Sequence, residues 1–463
     1  MLKLSKFSLI IVLIYFFTFL AAGFMWPGSN YSYLVFSASF TALLIFALKS
    51  RLTAGYVFFV VALWIGYWLK LSIHIIEPKL TWMEPIGLFD FSSTAWDKVA
   101  IISSIGAIGV LLAGCIQFQF QKKILIKVDM DRTPVNLTNK LWLAGMTAVL
   151  ATVFLNEFFN IVHASIPPVY IGLPFHLQGL FGWCVGGGIF LILMIPFHLS
   201  IIHGHFLKAT IVLIIASVLI GVSIFSRGTV VFQSIIVLGS FFVYSDFLPK
   251  INTRQVIIFV IAMTIGIILS VVISQTRREV FFASIQPTSI QPTSLQPTFS
   301  KYSLFLILKL PIERWVGLEG VMAISAHKEK SNQLLLHAIK ERRVIGALDM
   351  YTHDIALSAS KDTKTVMYAT PPGVISFWYY SGSLTTVFLA ATLLTLLMMN
   401  IEYLLLNTSN NPFLSSAVGI GIALQFIHMG TGGLLIPAVI TFTTLIFALI
   451  IGSLSKVYIE KRF

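Results

Sequence analysis

Apolar runs of span length succeed one another along almost the whole chain, and a single long polar stretch, residues 275–372, interrupts them. A helix crosses a bilayer core with about 20 apolar residues, and many windows here meet that length. Only 11% of the residues are charged and 57% are hydrophobic, whereas soluble domains carry roughly 25% charged residues. A water-soluble globule is excluded on that ground. A membrane β-barrel would show short alternating segments instead of long apolar runs. The expected fold is an all-α polytopic integral membrane protein, with about 12 transmembrane helices and one large loop containing short helices.

The expected spans lie near 7–25, 31–48, 55–76, 99–118, 141–162, 179–197, 207–225, 229–245, 255–274, 375–399, 413–430 and 434–453. They divide the chain into an N-terminal bundle (1–274), the loop (275–372) and a C-terminal bundle (373–463). Lys3 and Lys6 before an apolar run have the form of a signal peptide, but no small-x-small cleavage site precedes a soluble domain, so this run reads as the first span. Lys49, Arg51, Lys122, Lys123, Lys127, Arg132, Lys140, Lys250 and Arg254 fall on one side of the expected spans, with both termini. The positive-inside rule makes that side cytoplasmic. The connection 77–98, with Glu77, Glu84, Asp90 and Asp97, and the 275–372 loop are then extracytoplasmic.

The loop carries 12 Lys/Arg against 8 Asp/Glu. Long loops translocate regardless of charge, so its basicity needs another cause: an anionic ligand, or anionic lipid headgroups. Residues 284–298 repeat one Ser-Ile/Leu-Gln-Pro-Thr pentapeptide three times; proline at that spacing forbids a regular helix and makes an extended tether. After it, Pro311 opens an expected helix to His327, with Ile312, Trp315, Val316 and Met322 on a buried face and Arg314 and Glu319 on the surface. A second helix is expected over 331–344, capped by Ser331 and ending in Arg342 and Arg343. Those two arginines suit a helix C-terminus as well as a ligand. Phe377, Trp378, Tyr379 and Tyr380 stand where an interfacial aromatic belt is expected.

Cys115 and Cys184 lie in apolar spans and read as packing residues. His203 and His205 resemble half of a metal site but have no third ligand nearby. Gly186, Gly187 and Gly188 read as a place where helices pack closely. Asn156 and Glu157 are costly in lipid and should face the bundle interior. The net charge of +13 belongs to membrane insertion and not to nucleic-acid binding.

Arg227, in the turn Phe225–Gly228, is expected on the loop side, together with Arg277, Arg278, Arg314, Arg342 and Arg343. Arginine suits bidentate phosphate recognition, so this set points to a diphosphate. Three stretches carry a resemblance: Ser226-Arg-Gly228, Glu313-Arg-Trp-Val-Gly-Leu-Glu-Gly-Val-Met322, and Thr370-Pro-Pro-Gly-Val-Ile375 before an aromatic-rich span. With the architecture of the whole chain, they resemble the Wzy-type family of bacterial O-antigen, or oligosaccharide repeat-unit, polymerases. An arginine and glycine separated by ten residues, found in some members, does not follow Arg227, Arg277 or Arg314 here.

The resemblance implies a glycosyltransferase on the periplasmic face of the bacterial inner membrane. It would transfer a glycan from undecaprenyl pyrophosphate to the terminal sugar of an incoming lipid-linked repeat unit. The arginines would stabilise the departing diphosphate without a metal or other cofactor. A base would be drawn from His353, Asp354, Glu319 and His327. Membrane lipids and a polysaccharide chain-length regulator are the further partners it implies. The rival readings are an O-antigen ligase, a transporter of lipid-linked oligosaccharide and a non-catalytic scaffold. A transporter would show internal repeats and charged or broken helices at mid-membrane; the sequence shows neither a clear repeat nor many mid-span charges, and its polar mass is concentrated in one loop.

Overall fold

The structure, a computed structural model, describes residues 6–80, 82, 84–120, 135–159, 161–162, 175–224, 226, 228–246, 248, 252–285, 315–342, 349–357, 371–430 and 433–460. Within these, the side chains of 6–11, 135–136, 175–178, 253, 271, 274–285 and 455–460 are not described. The pentapeptide repeat beyond Ile285 and the expected helix start at Pro311 lie outside the described residues, as do Arg227, Arg314 and Arg343.

Among the described residues all regular structure is helical. The first membrane-type helices are α1 (Lys6–Phe24), α2 (Asn30–Ser50) and α3, which runs Ala54–Leu63, through a π segment Trp64–Leu69, into Lys70–Ile76. Then come α4 (Ser93–Phe120), α5 (Val135–Phe159), α6, α7 (Phe206–Ser223), α8 (Gly228–Val243) and α9 (Thr253–Ile285). Helix α6 is likewise interrupted, with Phe175–Trp183 joined through a π segment, Cys184–Gly188, to Ile189–Ile202. The loop contributes α10 (Leu318–Ala326), α11 (Asn332–Lys340), a π turn Tyr351–Ile355 and α12 (Val374–Trp378). The chain closes with α13 (Leu384–Ser409), α14 (Pro412–Ile427) and α15 (Leu435–Glu460). Among the described residues, eight helices are long and apolar enough to cross a membrane, and four shorter apolar helices occupy the remaining expected span positions. The chain is a membrane-embedded α-helical protein.

Local chemistry starts these helices where they start. Thr53 accepts the Tyr56 N–H at the head of α3, Ser383 does the same for Thr386 on α13, and Asn411 receives Phe413 and Leu414 before Pro412 opens α14. The expected second loop helix is present with its Ser331 cap, which accepts the Leu334 N–H at 3.1 Å. It ends at Lys340, so Arg342 lies past its terminus and exposed. The span expected at 375–399 begins instead at Leu384, because Gly382 (φ 72°) turns the chain and Ser383 restarts it.

The C-terminal helices insert among the N-terminal ones: α13 packs on α4, and α14 on α3, α6 and α8. The loop settles on one end of this bundle. Leu434 N–H donates to Ile339 O at 3.2 Å and Gly373 N–H to Met429 O at 3.1 Å, which fastens loop residues to the α14–α15 turn. Phe377 and Tyr380 are fully buried under the loop, so they are core residues and do not form an interfacial belt.

Candidate functional site

The loop docks on a cation buried in a membrane-type helix. Lys70, near the end of α3, is fully buried and donates to Glu319 Oε1 at 2.7 Å and to the Trp315 carbonyl at 2.6 Å. The π segment just before it adds a residue to the turn and re-aims the side chains of the final turns, Lys70 among them. The stretch 315–322 fits closely against α3: a side chain on Gly317 would strike the Tyr67 ring, and one on Gly66 would meet the Val316 carbonyl at 2.7 Å. Gly320 leaves no room for a side chain against the Pro372 carbonyl and the Ser376 hydroxyl. The described parts of two of the three motif stretches, 315–322 and 371–375, therefore meet each other. The third does not join them through the described contacts; Ser226 instead hydrogen-bonds to Gly221 O at 2.8 Å.

Glu319 was expected on the surface and is 2% exposed. A carboxylate on an all-apolar helix would be stranded without a cation, and Lys70 is that cation. The loop end also holds buried polar groups that have no hydrogen-bond partner among the described residues: Tyr351 Oη, which senses the Glu319 charge, Thr352 Oγ1 and Tyr380 Oη, which senses Tyr351. The Tyr67 and Ser376 hydroxyls face one another here without reaching hydrogen-bond geometry. Burial, and after it the carboxylates of Glu319, Glu84 and Asp349, hold the Tyr351 hydroxyl well above the ordinary phenol range. Burial raises Tyr380 likewise, with Tyr351, Asp349 and Glu341 adding to it. These phenols are neutral proton donors at physiological pH.

A pair of amines converges beside this cluster. Lys98, at the head of α4, and Lys330 both donate to the Ser325 carbonyl, at 2.9 and 3.3 Å, and Lys330 also reaches His327 O. Cations suit the carboxyl end of α10. Burial first, and the charge of Lys98 second, bring Lys330 down to about 8. Neither amine is ion-paired among the described residues.

The remaining expected residues are dispersed. His353 and Asp354 sit on the π turn with exposed side chains, and His353 Nδ1 lies 2.5 Å from Asp354 Oδ1. Glu341, whose Oε1 receives the Met350 N–H at 2.6 Å, is raised by burial and partly restored by that hydrogen bond. Arg277 and Arg278 fall on the extension of α9 beyond its expected end, and their side chains are not described. Arg342 is exposed and apart from the buried cluster. His203 Nδ1 lies 2.7 Å from Leu199 O at the end of α6, and no group of metal-ligating side chains forms among the described residues. Asn156 is buried as expected, its amide holding Val162 O, Ser223 O and Ser223 Oγ. Both cysteines are free thiols.

Lys70, Lys98 and Lys330 escaped the sequence reading. Lys70 had a usable signal, because an amine within an apolar span requires a partner. Lys98 and Lys330 carried none, since both stand in polar connections. Comparisons with known protein families, with curated proteins and with solved structures return no match.

Proposed function

We propose that this chain is a glycosyltransferase of the bacterial inner membrane that polymerises undecaprenyl-pyrophosphate-linked repeat units into O-antigen or a related surface polysaccharide. In this reading both termini are cytoplasmic, about 12 helices span the bilayer, and the loop lies on the periplasmic face. The observation that carries it is the meeting of 315–322 with 371–375 over α3. Two stretches that resemble the polymerases, far apart in the chain, share one buried polar cluster at the loop end of the bundle.

The acceptor hydroxyl attacks the anomeric carbon of the growing glycan, and the bond from that carbon to the lipid pyrophosphate breaks. His353 is the base: Asp354 orients its ring through Nδ1, which leaves Nε2 to take the hydroxyl proton. Glu319 is committed to Lys70 and holds the loop in place, so it is a positioning residue. Arg227, Arg277, Arg278, Arg314, Arg342 and Arg343 supply charge for the departing diphosphate, which needs no metal in this scheme.

Complementation of a strain lacking its repeat-unit polymerase tests the reading. The wild-type gene should restore a lipopolysaccharide ladder, and Arg314→Ala or His353→Ala at normal expression should leave a single repeat unit on core. An unchanged ladder in both variants sinks the site. A gene that instead restores glycan attachment in a strain lacking ligase sinks the polymerase assignment.

A further inference from the structure

Gly186, Gly187 and Gly421 do not pack helices together. A side-chain carbon built on any of them meets nothing within 4 Å. They border a cavity of about 400 Å³ between α6, α8, α14 and α15. Interiors are packed nearly as densely as organic crystals, so a space of this size is not a packing defect; it falls in the range of ligand clefts. Gly188, next in line, behaves differently: a carbon there would press on the Trp183 ring at 2.9 Å, and that indole is fixed by donating to Thr444 Oγ1 at 2.8 Å. The π segment Cys184–Gly188 therefore turns two glycines to the cavity and one to its tryptophan wall.

The walls are mostly apolar, yet Gln233 lines the cavity with its amide oxygen buried and without a hydrogen-bond partner among the described residues, and only 3% of the residue is exposed. An unmade hydrogen bond in such surroundings is costly, and a ligand with a polar group at Gln233 removes the cost. The cavity is close to the loop. Thr441 on its wall is six residues along α15 from Leu435, about 9 Å at 1.5 Å per residue, and Leu434 is bonded to the loop's Ile339.

We infer that this cavity holds one hydrocarbon chain of an amphipathic lipid, with the lipid's polar group beside Gln233 and directed to the loop end. The inference stands apart from the proposed reaction, since the chain could belong to a bilayer phospholipid or to a polyprenyl phosphate. Native mass spectrometry of the full-length protein, released from nanodiscs of phospholipid with or without added polyprenyl phosphate, separates the two sources by mass. Wild-type protein should retain one or the other.

Gly187→Leu and Gly421→Leu fill the space from two different lining helices, where the first added carbon meets nothing. Each should lower retention at least about tenfold, the loss of roughly two buried methylene contacts, while the melting temperature holds or rises. Gln233→Leu, which removes the amide, should lower retention less. Wild-type retention in both leucine variants overturns the site, as does a wild-type protein that carries neither lipid. If one leucine variant fails to fold, the variant on the other helix still decides the matter.

Discussion

The bundle buries one carboxylate near each end, and the two are treated in opposite ways. At the end away from the loop, Glu402 of α13 accepts the Ala54 N–H, the Gly55 N–H and the Tyr244 hydroxyl, each at 2.8 Å. It caps the N-terminus of α3, the end whose free N–H groups a carboxyl group satisfies. At the loop end, Glu319 pairs with the Lys70 amine, and among the described residues the buried hydroxyls of Tyr351, Thr352 and Tyr380 have no hydrogen-bond partner. Donors that converge fully on a carboxylate make a joint. Buried groups left unpaired beside one have the character of a recognition surface that a closed loop covers.

The largest test breaks the ion pair. Lys70→Met leaves Glu319 buried without its cation, and removing one member of a buried pair costs about 3–5 kcal/mol. Thermal unfolding in detergent should fall accordingly, and proteases should cut 315–342 more readily. The double variant Lys70→Met/Glu319→Leu should recover most of that stability, because an apolar replacement of both partners is often neutral. If the single variant leaves the loop protected, Lys70 is not its anchor.

At the other end the matched pair is Gly419 and Gly421 on one helix. A side chain on Gly419 would strike the Glu402 carboxylate, and one on Gly421 meets nothing within 4 Å. Gly419→Ala should cost about 1–3 kcal/mol, as overpacking does, with loop protection unchanged. Gly421→Ala should be close to neutral. Equal losses in the two would mean that helix flexibility, not the Glu402 joint, sets the cost.

The contrast between the ends also shows how far the sequence is legible. The succession of spans can be read because hydrocarbon admits only long apolar helices, and the Ser331 cap can be read because capping is local. Buried pairings cannot. Lys70 and Glu319 are 249 positions apart, and nothing near either names the other. Glu402 gives half a signal: an acid within a span announces that it needs donors, without saying which. Phe377 and Tyr380 look like membrane-interface aromatics by composition; only the arrival of α10 and α11 over them makes them core. The glycine run 186–188 reads as packing, and a cavity behind it cannot be seen without its far wall.

A smaller stability effect, with a larger functional one, is expected at Tyr351. Its hydroxyl is buried and has no hydrogen-bond partner among the described residues, so Tyr351→Phe removes a polar group that bonds to none of them. Such a change is near neutral or slightly stabilising. If the loop-end cluster recognises sugar hydroxyls, the same variant shortens the lipopolysaccharide ladder at unchanged melting temperature. Tyr244→Phe at the other end should do the reverse, lowering stability because it strips a donor from Glu402, with the ladder intact in the protein that remains folded. A matching outcome in the two variants would erase the distinction between the ends.

The gentlest test concerns the amines at the loop end. Lys330 titrates at about 8 in the folded chain against 10.5 for a free lysine. Between those values the unfolded chain binds the extra proton, so this residue's contribution to stability rises with pH across that window. Labelling with an amine-reactive reagent, followed residue by residue by mass spectrometry, should give Lys330 a midpoint near 8. Lys98→Met removes the like charge and should move that midpoint upward. It should stop short of the free value, because burial is the larger cause and remains. No movement would mean that the two amines do not sense each other. The cationic side of the loop end would then be two separate helix-end contacts, without a shared pocket for an anion.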